Sequence, residues 1–294
     1  MPPILGKLMN DRCSFVRQVN TALACLVLPL SGLWHSSVHS HEFWIEPVTA
    51  PLAAGSVARF SLKVGEQFKG DVVGVSRQQT DGLRHYSVSG AVDLKPKLPT
   101  TPAADFTVAL TTPGTHLIAF ESEANTIALS ADSFHAYLHD EGLDFIKTRR
   151  EAAGTARQPG RERYRRFVKT LVSVPAAADA SIDEATFAQN TGQRLELMPL
   201  NNPLLLAPGA ALRLRVDFEG KPLSGALVKA WHRQNNQSLI IRVTTAADGI
   251  AAVNLPYSGA WMVSVVHMVA ASSTSNIDWD SLWGNLSFVV PARN

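Results

Sequence analysis

The stretch ALRLRVDFEGKPLSGALVKAW, residues 211–231, decides the fold class. Leu212, Leu214, Val216 and Phe218 alternate with Arg213, Arg215 and Asp217. That period of two puts one face of a β-strand on a core and the other in water. Residues 220–225 (GKPLSG) supply the turn, and 226–231 begin a second strand. The rhythm continues at 240–244, 250–255, 261–269 and 286–290, with Asp248-Gly249 as a turn. On the other side it recurs at 59–64, 84–88, 106–110, 116–120, 126–130 and 167–174, with turn signals at Asp81-Gly82 and Pro113-Gly114. Short strands at this spacing predict an all-β protein built from antiparallel sandwiches.

One segment has another period. Phe134, Tyr137, Leu138, Phe145 and Ile146 fit a helical stripe, with Asp132 as N-cap and Gly142 as an interruption, so a short helical excursion is expected over 133–147. Residues 147–166 are polar, basic and glycine-containing and read as an exposed, mobile connection. The strand-like RLELMPL (194–200) followed by Asn201-Asn202-Pro203 marks a linker. The expectation is two β-sandwich domains, 41–199 with the helical excursion and 200–294.

Residues 1–40 have the three parts of a secretory signal peptide. Lys7, Arg12 and Arg17 form the charged region, 21–33 the apolar region, and Val38-His39-Ser40 a cleavage site before His41. Met9 serves equally well as the start. The apolar run is short for a bilayer span, and no later stretch reaches that length, so after processing the protein is expected to be soluble and periplasmic rather than integral to a membrane. The leader also carries the charge excess. The chain has net charge +2, and without residues 1–40 it keeps 24 of its 27 basic and 24 of its 25 acidic side chains. Such a balance argues against nucleic acid as a partner. Both cysteines, Cys13 and Cys25, lie in the leader, which leaves no disulfide framework or thiolate chemistry beyond it.

No nucleophile elbow, HExxH, phosphate-binding loop or dinucleotide fingerprint is present. Asp278 and Asp280 flank Trp279 and read as a strand entry or tryptophan anchor rather than a catalytic pair. No enzymatic activity is expected.

Residues 220–228 (GKPLSGALV), 244–249 (TTAADG) and 259–263 (GAWMV) resemble the transthyretin-like or carboxypeptidase-regulatory-like module, mostly a non-catalytic sandwich. Beyond the leader, the chain resembles an uncharacterised bacterial periplasmic family labelled as the periplasmic component of cobalt/nickel transport, or NikM-like. The resemblance rests on HEFWIEP (41–47), VGEQFKG (64–70), FHAYLHDEGL (134–143), ERYRRFVKTL (162–171), GQRLELMP (192–199), WMVSVVHM (261–268) and DWDSLW (278–283). It implies metal handling outside the inner membrane, with an envelope transporter or receptor as partner.

Without thiolates, a transition-metal site must use imidazole, carboxylate or the amino terminus. If the chain begins at His41, its α-amine and imidazole Nδ1 can chelate one ion, an arrangement that suits Cu(II) or Ni(II). His135 and His139 stand at i and i+4 on the expected helix, on one face. His267 shares strand parity with Trp261, Val263 and Val265, and His116 with Ile118 and Phe120, so both point inward. Glu42 falls on the opposite strand face from His41. His85 and His232 carry no expected role. The expectation is a nickel, cobalt or copper site that joins His41 to one or more of His116, His135, His139 and His267. The competing expectation is a non-catalytic module that binds an envelope protein or glycan.

Overall fold

The computed structural model describes residues 41–49, 51–175, 185–234, 237–272 and 276–292; the expected leader, with its cleavage site and cysteines, lies outside them. The first strands are β1 (Glu42–Pro47), β2 (Ser56–Glu66), β3 (Lys69–Val73), β4 (Thr80–Ser87), β5 (Gly90–Asp93), β6 (Phe106–Leu110), β7 (Gly114–Ser122) and β8 (Asn125–Leu129). Helices α1 (Ala131–Asp140) and α2 (Asp144–Ala152) precede the long strand β9 (Gly160–Val174). Then come β10 (Leu195–Pro199), β11 (Ala211–Phe218), β12 (Lys221–Pro222), β13 (Leu227–Gln234), β14 (Gln237–Thr244), β15 (Ile250–Asn254), β16 (Gly259–Ala270) and β17 (Trp279–Val290). The protein is mostly β, as the alternation predicts. Among the described residues, no helix is long and apolar enough to cross a membrane.

A nine-stranded sheet in the order β14-β13-β16-β17-β9-β7-β4-β5, with β8 also on β9, forms the middle layer. Two four-stranded sheets accompany it: β1-β2-β3 with β6 on β2, and β10-β11-β12 with β15 on β11. Strand β9 shows how the layers stack. Its Phe167 and Leu171 join Leu195, Leu197, Leu212 and Leu214 in one core. Its Val168, Val172 and Val174 join Phe60, Leu62 and Val108 in another. Since neighbouring side chains of a strand point to opposite faces, the two smaller sheets cover opposite faces of the large one.

The expected division at residue 200 does not interrupt these sheets. Pro199 of β10 pairs with Leu214 of β11, and β17 lies parallel to β9, with Gly284 opposite Phe167. Alternation reveals strands but not their partners, so a linker-like Asn-Asn-Pro says little about which sheet the next strand enters.

The helical excursion forms, interrupted at Gly142 as expected, with two differences from expectation. The N-cap is Ser130, whose Oγ accepts the Ser133 N–H at 3.2 Å, while Asp132 sits in the first turn. The segment is two helices, separated at Gly142, which takes φ +70°. Residues 147–166 are not a loose connection: they complete α2 and begin β9. Their charge hid the strand. Arg161 and Arg163 are matched across the parallel pair by Asp278 and Asp280, and Arg163 Nε and Nη2 donate to the two Asp280 oxygens at 2.6 and 2.9 Å. The two aspartates are thus arginine partners.

Candidate functional site

Strand β1 carries the HEFWIEP motif, and each residue has a distinct environment. Phe43 stacks on Phe120 with centroids 5.8 Å apart, and Trp44 meets Phe68 edge-on at 5.2 Å. Glu46 pairs with Lys63 at 2.9 Å and Arg233 at 2.6 Å. Glu42 faces the interior, where its oxygens accept Ser264 Oγ–H at 2.9 Å and Asn285 Nδ2–H at 3.3 Å. Lys229 Nζ is 3.1 Å from Glu42 and 2.5 Å from Glu141 at the end of α1. Burial opposes the Lys229 charge, but the two carboxylates outweigh it and hold its pKa above the ordinary lysine value. These contacts fix the direction of β1.

His41 stands just before β1. Glu42 pairs with Gly65 in the antiparallel β1–β2 ladder, so His41 falls opposite Glu66. Its Nε2 lies 3.4 Å from Glu66 Oε1, with the side chains 54% and 42% exposed. Sequence reading gave Glu66 no role because only the strand register brings it back to the start of β1.

A second buried group lies between α1 and the middle sheet. Glu162 Oε1 accepts from Tyr137 O–H at 3.4 Å and from Ser281 O–H, and Trp283 Nε1 donates to Ser281 Oγ at 3.2 Å. Burial pushes the Glu162 carboxyl up to about 7, against the hydrogen bonds that favour its charge. These residues belong to stretches that carry the family resemblance, but their polarity gave no sign that they are buried together.

The other candidate histidines separate. His116 is fully buried and stacks with His85, and His85 Nε2 lies 2.7 Å from His116 Nδ1. His116 Nε2 is 2.8 Å from the Thr112 carbonyl, which can only accept, so Nε2 carries the hydrogen and Nδ1 accepts from His85. Burial, with the facing imidazole, lowers the His85 pKa to about 4. His85, without an expected role, is therefore part of a structural pair. His232 is also buried, with Nε2 2.9 Å from the Ser258 carbonyl. His135 lies beside the apolar stripe of α1, its Nε2 buried and without a hydrogen-bond partner among the described residues. His139 turns outward to Asp144, 3.2 Å away. His267 packs between Phe145 and Phe218, with centroids at 6.3 and 4.6 Å. Among the described residues, no three His, Cys, Asp or Glu side chains gather as a metal site.

Comparison with solved structures gives slight likenesses. A Salmonella alpha-2-macroglobulin is 12% identical with a TM-score of 0.23, over 85% of this chain and 16% of that one. The three N-terminal domains of the outer capsid protein Hoc of bacteriophage RB49 are 10% identical with a TM-score of 0.18, over 85% of this chain and 59% of that one. An Escherichia coli alpha-2-macroglobulin is 11% identical with a TM-score of 0.19, over 84% and 16%. The chain thus spans about a sixth of the macroglobulins, and likeness this slight carries no argument about function. No curated protein matches. The model of a family described as a domain of unknown function, DUF4198, matches residues 38–269, and the chain belongs to that family.

Proposed function

We propose that the protein is a soluble periplasmic metal-binding accessory protein that receives nickel, cobalt or copper as cargo at His41 and passes it to an envelope transporter or receptor. The reading assumes export and cleavage after Ser40, as the leader suggests. The observation that carries it is the 3.4 Å approach of Glu66 to His41 Nε2. A carboxylate there favours the tautomer with its hydrogen on Nε2, which leaves the Nδ1 lone pair available. Nδ1 and the new α-amine then form a two-nitrogen chelate, while Glu66 orients the ring. Two nitrogen donors suit Ni(II) or Cu(II) and leave positions open, as exchange with a partner requires. Within the fold, we read the two smaller sheets as the outer layers of two immunoglobulin- or transthyretin-like sandwiches that share the middle sheet.

The test is calorimetric titration of the exported protein, its first residue established by intact mass, with Ni²⁺, Co²⁺ and Cu²⁺. Tight binding of at least one ion is expected. His41→Ala or one extra residue before His41 should abolish it, and Glu66→Gln should weaken it about tenfold or more. Absence of binding to all three ions, or undiminished binding after His41→Ala, overturns the reading.

A further inference from the structure

A cleft of about 190 Å³ opens between α2, the turn before β13 and strand β16. Its lining includes Leu143, Phe145, Leu223, Leu227, Val266 and His267. These residues come from distant parts of the chain, and three stretches that carry the family resemblances reach the cleft.

The chemistry of the walls is specific. Phe145 is 40% exposed beside the apolar lining. His267 is half-buried against it, and neither imidazole nitrogen finds a hydrogen-bond partner among the described residues. Burial, reinforced by the nearby Arg149 charge, lowers the His267 pKa, so near neutral pH the imidazole is uncharged and offers one donor and one acceptor. Arg149, one turn along α2, holds its guanidinium 5.4 Å from the Phe145 ring centroid. Among the described residues it has no carboxylate partner. Apolar walls and a half-buried neutral imidazole thus line one small opening, and the Arg149 guanidinium stands beside it, over Phe145.

We propose that this cleft binds a small aromatic carboxylate. The ring packs against the exposed part of Phe145 and the leucines, where it removes their apolar surface from water. The carboxylate pairs with Arg149, whose planar fork matches it. His267 supplies the remaining hydrogen bond. The site involves neither His41 nor Glu66, so it is independent of the metal reading.

Sodium benzoate and uncharged benzamide are the probes, added to the exported full-length chain while the His267 imidazole resonances are followed by NMR. Benzoate should shift them saturably in the millimolar range that a ligand of so few atoms permits. Phe145→Ala and Arg149→Gln alter exposed side chains, and each should weaken benzoate about tenfold. Benzamide should bind about tenfold more weakly than benzoate, and His41→Ala should leave benzoate affinity unchanged. No saturable shift, wild-type affinity in either cleft variant, or benzamide as tight as benzoate overturns the proposal.

Discussion

Lys229 Nζ on β13 lies 3.1 Å from Glu42 Oε1 on β1, which ties the strand that begins the described fold to a strand far along the sequence. The same ammonium reaches Glu141 at the end of α1, so one buried cation joins three elements. Removal of one partner of a buried ion pair leaves uncompensated charge in a medium that solvates it poorly.

Lys229→Met should therefore cost about 3–5 kcal/mol of stability, measured by urea denaturation. Neutralising the two acids as well, in Glu42→Gln/Glu141→Gln/Lys229→Met, should recover most of that loss. If Lys229→Met leaves the midpoint unmoved, the triad contributes nothing to stability.

Glu162 should make stability fall as pH rises. Its folded pKa, about 7, is above the unfolded value near 4.5. Below both values the group is protonated in either state and contributes no difference. Between them only the unfolded chain releases the proton, so the folded state loses ground, by about 3 kcal/mol once pH exceeds 7. The Arg166 charge favours the ionised carboxyl, and Tyr137, Ser281 and Trp283 are its neutral partners. Glu162→Gln should flatten the decline and gain stability at pH 8. Denaturation midpoints at pH 5, 6, 7 and 8 decide this, and an equally steep decline in the variant would refute the assignment.

The His85–His116 pair acts on the other side of neutrality. The His85 pKa of about 4 is below its unfolded value of 6.5. As pH falls between these values the unfolded chain takes up a proton that the folded one does not, and stability is lost. His85→Phe should flatten this acid limb, with the NMR titration of His85 in the native protein as the direct check; a midpoint near 6.5 in that titration contradicts it.

Gly160 begins β9 beneath α1, and a Cβ there would lie 2.4 Å from the Phe134 ring. Gly160→Ala should displace that ring and cost about 1–3 kcal/mol by overpacking. Gly154→Ala is not a fair control, because Gly154 has φ +68°. Ala128→Gly, on the neighbouring strand, is a better one, with an expected loss below about 1 kcal/mol. Thermal melts of the two variants distinguish steric displacement of Phe134 from a general weakening of this corner.

The sequence by itself determined the class of the fold and the positions of most strands, because each sheet face meets either a core or solvent and imprints a period of two. The helical stripe at Phe134, Tyr137 and Leu138 was legible for the same reason, with a different period. Sequence also singled out the stretch that begins at His41. Only the tertiary structure decided that β17 returns to lie parallel to β9, because pairing between distant strands leaves no local pattern. It alone showed that 160–166 is a strand, since the charges of Arg161 and Arg163 are answered by Asp278 and Asp280 on another strand. It also placed Glu66 opposite His41, buried Glu42 against Lys229, and gave the remaining candidate histidines separate surroundings. Parity says which face a side chain takes, whereas the partner it meets there depends on how the layers stack.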